Sequence, residues 1–184
     1  MNRIKFLIEG LKDMKTVGTV ARTSRYAGRQ MLRRIDFQHA DCIVEFGAGD
    51  GVITKLILER MKPTTKLLSF EVNPTFCELL SEINDPRLTI INDSAELVDK
   101  YLQQHGFAKA DHVVSAIPFT TLPEAVAAVI VEQAKYVLKV NGYFVQIHYS
   151  LVRRRLYKKV FGNVDVELTP INIPPAFIMT SRKE

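Results

Sequence analysis

The chain has 184 residues, enough for one core, and 47% of them are hydrophobic, which excludes a chain kept open by its charge. No run approaches the roughly 18 apolar residues of a membrane-spanning helix, and no apolar N-terminal stretch marks a signal peptide. The net charge of +5 hides a division: residues 1–34 carry nine Lys/Arg against two Asp/Glu, residues 35–132 seven against fifteen, and residues 133–184 nine against three. Gln133 to Val164 contains no acidic residue. This asymmetry implies an anionic partner, either nucleic acid or an anionic lipid surface; the alternative is a solvated basic face. The two cysteines, Cys42 and Cys77, form no CxxC or Cys/His cluster. They read as buried thiols of a reducing compartment, with no metal expected.

In chain order, Asn2–Lys15 reads as an amphipathic helix, with Ile4, Leu7, Ile8, Leu11 and Met14 at helical spacing. A second helix runs from about Ser24 to Arg34, capped by Thr23 or Ser24. Strands and helices then alternate. Strands are expected at Cys42–Phe46, Lys66–Glu71, Leu88–Ile91, His112–Ser115 and Tyr143–Tyr149, and helices at Val52–Met61, Pro74–Ile83, Ala95–Gln104 and Pro123–Leu138. Two tail strands, Val164–Leu168 and Ala176–Ser181, are separated by Pro170, Pro174 and Pro175 and predict an antiparallel, hairpin-like end. The expected fold is α/β and Rossmann-like. It has a seven-stranded, mostly parallel sheet with an antiparallel last strand, and helices on both faces. One domain is expected over 1–184, with N-terminal helices at 1–35 and the core at 36–184.

The sharpest motif is Val44-Glu45-Phe46-Gly47-Ala48-Gly49-Asp50-Gly51, after a strand and before a helix. Glycines there permit positive φ and let backbone approach a ligand closely. Glu71 ends the next strand, where a carboxylate accepts both hydroxyls of a ribose. The spacing Gly47-x-Gly49-x-Gly51 departs from the G-x-G-x-x-G of nicotinamide sites. Glu45 would repel a pyrophosphate and attract a ligand ammonium. S-adenosylmethionine, which carries an ammonium and a sulfonium, therefore fits better than NAD. Asp93, after the third strand, either accepts from an adenine amino group or caps the helix near Ala95.

At these residues the chain resembles the class I methyltransferases from about Val17 to Lys183. More narrowly, it resembles the soluble bacterial phospholipid N-methyltransferases, and more distantly the ribosomal RNA adenine dimethyltransferases. The resemblance is carried by Gly18-Thr19-Val20-Ala21, Thr23-Ser24-Arg25, the glycine motif, Phe70-Glu71-Val72-Asn73-Pro74, Asp93-Ser94-Ala95, Val114-Ser115-Ala116-Ile117-Pro118 and Gly142-Tyr143-Phe144-Val145-Gln146. It implies that Glu45 through Gly51, with Gly47, Ala48 and Gly49, hold the methionine part of the cofactor. It places Glu71, with Val72 and Asn73, at the ribose, and Asp93 and Ser94 at the adenine. Ser115, Ile117 and Pro118 would lie beside the transferable methyl, Ser115 also touching the cofactor. Nucleobase N6-methyltransferases place Asn or Asp where this chain has Ala116, which lacks a side-chain acceptor, although Phe119 could stack on a base. The chain also leaves no room for the RNA-binding domain that the dimethyltransferases append.

The basic ends suit a membrane surface: the first helix pairs an apolar stripe with Arg3, Lys5, Lys12 and Lys15, and Arg153, Arg154 and Arg155 could hold a phosphate. Packing of that helix against the domain and, for the arginines, a solvated helix face are the plain alternatives, and an RNA backbone would serve as well as lipid. An attacking amine must be neutral, so a proton acceptor is sought among His148, Tyr149 and Tyr26. His39, His105 and His112 read as loop or helix-end residues. The resulting expectation is an S-adenosylmethionine-dependent N-methyltransferase acting on the amine head group of an aminolipid such as phosphatidylethanolamine. It would be cytoplasmic and peripheral to the inner membrane of a bacterium. An RNA N-methyltransferase and a non-catalytic cofactor-binding module are the rivals.

Overall fold

The computed structural model describes residues 23–184, so the amphipathic segment Asn2–Lys15 lies outside the described residues. Among these, one sheet holds β1 (Cys42–Phe46), β2 (Lys66–Phe70), β3 (Leu88–Ile91), β4 (His112–Ser115), β5 (Tyr143–His148), β6 (Asp165–Thr169) and β7 (Ala176–Arg182). Their order is β3-β2-β1-β4-β5-β7-β6. The first five pair in parallel, and β7 runs antiparallel between β5 and β6. The helices are α1 (Arg25–Met31), α2 (Val52–Leu58), α3 (Pro74–Ser81), α4 (Val98–Gln104), α5 (Glu124–Val137) and α6 (Arg154–Phe161).

The central strands are apolar on both faces because helices cover both. Their alternation divides the core: Ile43, Leu67, Val114 and Val145 pack with α1 and α2, whereas Val44, Leu68, Val113 and Phe144 pack with α4, α5 and α6. Gly28 brings α1 onto α2 so closely that a Cβ there would lie 2.6 Å from Leu56 Cδ1. At the start of α1, the Ser24 hydroxyl accepts from the Ala27 N–H, and the Ser24 N–H donates to Asn172 Oδ1, tying the helix to the β6–β7 loop.

Several boundaries differ from expectation for local reasons. Helix α2 ends at Leu58 rather than Met61, because Pro63 follows and the Arg87 guanidinium takes the Leu58 and Met61 carbonyls. The helix expected from Ala95 opens as a 3₁₀ turn, Ala95–Leu97, capped by Ser94. Strand β2 stops at Phe70, and β5 stops at His148, one residue before Tyr149. Helix α6 forms where the sequence offers an arginine cluster with a solvated helix face as its plain alternative. Its Leu156, Tyr157, Val160 and Phe161 pack against the core at helical spacing, and Gly162 closes it in a left-handed turn. His112 is not a loop residue: it opens β4 and is buried, with the Asp36 N–H 3.3 Å from Nε2 and the Tyr143 N–H 3.2 Å from Nδ1, of which the nitrogen without a proton accepts.

Candidate active site

Because β1 to β4 run in parallel, the segments that follow them gather at one edge of the sheet: the glycine turn after β1, Glu71 after β2, Asn92-Asp93 after β3 and Ala116-Ile117 after β4. The turn is pinned by the Gly47 and Ala48 N–H groups, which donate to the Phe70 carbonyl at 2.8 and 3.2 Å. Gly47 has φ 71°, and a Cβ there would stand 3.0 Å from Ile117 Cγ1 and 3.2 Å from the Ile117 nitrogen. Only glycine lets β1 pass so close to the segment after β4. Gly49 differs: its φ is 54°, and a Cβ there would meet nothing within 4 Å. Backbone at Gly49 therefore faces open space.

Glu45 lies beneath this turn and is 1% exposed. Its Oε2 accepts from the Thr54 hydroxyl at 2.8 Å and the Ser69 hydroxyl at 2.7 Å, whereas its Oε1 has no hydrogen-bond partner. Burial pushes its carboxyl from the ordinary 4.5 to about 7, against the two hydroxyls, with the nearby Glu71 adding to the rise. A buried carboxylate oxygen without a partner is costly and marks a place where a donor or cation belongs.

Glu71, largely buried, stands across the turn. Its Oε2 accepts from the Gly49 N–H at 2.9 Å and its Oε1 from the Asn73 N–H at 2.8 Å. These bonds fix the plane of a group that accepts up to about four. Asn92 holds the same residue from behind, its side-chain amide donating to the Glu71 carbonyl at 2.9 Å. Asn73 caps α3 with its side chain, and Val72 links it to Glu71. At the third strand end, Asp93 Oδ1 accepts from the Ser94 N–H at 2.8 Å and Oδ2 from the Tyr101 hydroxyl at 2.8 Å. Ser94, not Asp93, caps the following turn. Glu45, Glu71 and Asp93 thus form an acidic series along the edge, an acceptor set that suits a cationic nucleoside and opposes a pyrophosphate.

The segment after β4 is braced from β5. Ser115 is fully buried, its hydroxyl accepting from the Ile117 N–H at 3.4 Å, and the Gln146 amide donates to the Ile117 carbonyl at 2.9 Å. Pro118 is half-buried beside Ile117. Sequence alone assigns no role to Thr54, Ser69, Asn92 or Tyr101, nor to Gln146, which it shows only as the end of the Gly142–Gln146 motif. The available signal was polarity out of place: Gln146 interrupts the buried strand Tyr143–His148, and Thr54 the buried face of VITKLIL.

The structure corrects three other expectations. His148 ends β5 at this edge, but its ring is enclosed and is not presented as a proton acceptor: it is 3% exposed, its Nε2 lies 2.8 Å from the Tyr157 hydroxyl, and burial beside Arg153 pulls its pKa from 6.5 to about 4. Phe119 is unavailable for base stacking because it is fully buried against His148 and Tyr157. Arg153 is occupied within the chain, its guanidinium donating to the Phe119 and Leu122 carbonyls, so it braces the loop after Pro118; Arg154 and Arg155 are exposed. Tyr26 is exposed in the first turn of α1, whose capping residue meets the β6–β7 loop at the same edge. Burial raises the Tyr149 hydroxyl's pKa, against hydrogen bonds from Asn172 and Thr23. Among the described residues, no group of His, Cys, Asp or Glu could hold a metal ion, and no helix is long and apolar enough to cross a membrane.

Comparison with known proteins bears on the family and the fold. The family model described as methyltransferase small domain matches residues 21–169. An ornithine lipid N-methyltransferase of Singulisphaera acidiphila is 32% identical over 174 residues, covering 93% of this chain and 91% of the relative. Among solved structures, precorrin-6y C5,15-methyltransferase of Geobacter metallireducens superposes with a TM-score of 0.70 at 15% identity, covering 90% of this chain and 92% of that one. The 1,6-didemethyltoxoflavin-N1-methyltransferase of Burkholderia thailandensis, with bound S-adenosylhomocysteine, gives 0.69 at 14% identity, covering 98% and 86%.

Proposed function

The chain belongs to the methyltransferase small domain family, and from that premise we propose that it methylates the amine head group of an aminolipid at a membrane surface. It is a class I S-adenosylmethionine-dependent methyltransferase. The observation that carries the site is Glu45: a buried carboxylate with an unpartnered oxygen beneath a glycine turn that opens on free space at Gly49. The substrate class rests on the ornithine lipid relative, which this chain matches over nearly its full length.

S-adenosylmethionine supplies a methyl group already activated by a sulfonium, so the protein's task is mainly to bind and align. In this reading Glu45, Gly47, Ala48, Gly49 and Gly51 hold the amino-acid end, Glu71 with Val72 and Asn73 the ribose, and Asp93 and Ser94 the adenine. Thr54 and Ser69 aim the Glu45 carboxylate. Ser115, Ile117 and Pro118 form the wall beside the reacting centre, and Gln146 and Arg153 keep that wall in place. With His148 neutral and enclosed, Tyr26 and Tyr149 are the side chains left to orient the amine or take its hydrogen bond. The enzyme would act from the cytoplasmic side of the inner membrane, bound peripherally. The buried Phe119 and the missing acceptor at Ala116 speak against the nucleobase reading.

Incubation with methyl-labelled S-adenosylmethionine, ornithine lipid, phosphatidylethanolamine and ribosomal RNA tests this. Label is expected in a lipid amine. Label in RNA and in neither lipid overturns the proposal, and tight cofactor binding with no product supports a non-catalytic module.

A further inference from the structure

Strand β7 runs antiparallel to both β5 and β6, so β5 and β6 point the same way and the loops after them leave the sheet at one edge. That is the edge of the glycine turn. These two loops expose aliphatic side chains: Leu151 is 44%, Val152 75%, Ile171 61% and Ile173 92% exposed. Singly exposed aliphatics need no explanation, but here they share one rigid support. Tyr149, at the start of the first loop, hydrogen-bonds with Asn172 of the second and with Thr23. Asn172 is 1% exposed and accepts from the Ser24 N–H at 2.9 Å, while the Ser24 hydroxyl donates to the Ile171 carbonyl at 3.0 Å.

Charge completes the description. Arg154 and Arg155 follow Val152 closely and are exposed, in a stretch without acidic residues from Gln133 to Val164. The acids that come next, Asp165 and Glu167, start β6 toward the opposite edge and pair with Arg34. Residues 1–22 join the described chain at Thr23, within this cluster, and their sequence alternates Ile4, Leu7, Ile8 and Leu11 with Arg3, Lys5, Lys12 and Lys15.

We propose that Leu151, Val152, Ile171 and Ile173 form a rim that seats in the interface of an anionic bilayer, with Arg154 and Arg155 on lipid phosphates, so that a head group enters the site at the same edge. The inference rests on the aminolipid reading above. Aliphatic side chains flanked by arginines match a bilayer interface, where apolar burial and attraction to anionic lipid act together. An RNA backbone would use the arginines and leave the aliphatics exposed to water.

The chain contains no tryptophan, so Ile173→Trp introduces a single reporter. With vesicles of phosphatidylglycerol and phosphatidylethanolamine, its emission is expected to shift to the blue and to be quenched by brominated acyl chains; phosphatidylcholine vesicles should do neither. The double variant Val152→Ser, Ile173→Ser should lose vesicle affinity roughly tenfold or more, since each change removes a buried aliphatic side chain from the bound state. Its affinity for S-adenosylhomocysteine and its turnover on a short-chain aminolipid in detergent micelles should be retained. An unquenched reporter on a protein that still sediments with vesicles overturns the rim and assigns binding to residues 1–22. A blue shift without lipid that grows with protein concentration overturns it in favour of a second copy. Insertion without methylation of any aminolipid would leave the rim standing and remove the substrate assignment; methylation without insertion would do the reverse.

Discussion

Glu45 carries the most information per atom. Its carboxyl, raised to about 7 by burial, is partly protonated at neutral pH, and a bound ammonium favours the ionised form. Cofactor binding should therefore release protons near neutral pH and strengthen as pH rises through about 7. Calorimetry in buffers of different ionisation enthalpy measures both. Glu45→Gln should abolish the proton release and weaken binding by about 2 kcal/mol, the scale of a hydrogen bond to a charged group. Gly49 gives a second prediction. A methyl there touches no protein atom, so Gly49→Ala should lower stability by only about 1–2 kcal/mol, the left-handed backbone penalty. Its cofactor affinity should fall by more than that, because the methyl enters the open space above the turn; denaturant melts beside calorimetry make the comparison. Glu45, Gly49 and Glu71 were legible as a spaced motif. Thr54 and Ser69 were not, because they reach Glu45 from the next helix and the next strand, across separations that no local spacing encodes.

Among the elements, α1 has the most exacting contact. Gly28→Val would drive a branched side chain into Leu56, which already stands 2.6 Å from a Cβ, and should cost about 1–3 kcal/mol in a urea melt. Ser24→Ala removes both the cap of α1 and the bond to the Ile171 carbonyl, so it should cost about 1 kcal/mol or more and loosen the β6–β7 loop. Increased amide hydrogen exchange at residues 171–173 would register that loosening. Strands β1, β3 and β4 follow from the sequence residue for residue, because their apolar runs are short and bounded by turn residues. Helix α6 was hidden because its surface, Arg154, Arg155, Lys158 and Lys159, reads as a charge run. Its buried face is only Leu156, Tyr157, Val160 and Phe161, and it becomes evident once β5 and β7 supply the core it covers.

For the molecule as a whole, two buried groups set opposing pH responses. Glu45, raised to about 7, favours the folded state below the ordinary 4.5, and this stability is lost as pH rises to about 7. His148, lowered to about 4, contributes stability above its ordinary 6.5 that is lost as pH falls to about 4, and His112 is shifted in the same direction. Without cofactor, Glu45→Gln should therefore make stability rise with pH across this interval more steeply than in the unmodified protein. His148→Gln, which keeps a partner for the Tyr157 hydroxyl, should tilt the profile the opposite way; thermal melts across pH read both slopes. The sequence alone determined the α/β alternation, the parallel sheet with its reversed strand, and the acidic and glycine residues at the strand ends, because short-range periodicity and turn chemistry dictate these. Only the tertiary structure decided that Phe119 and His148 lie in the core, that Arg153 is spent on backbone carbonyls, and that Gln146 braces the wall. Burial and partnership are properties of elements brought together by β-pairing, and a residue's type does not reveal which neighbours the sheet will give it.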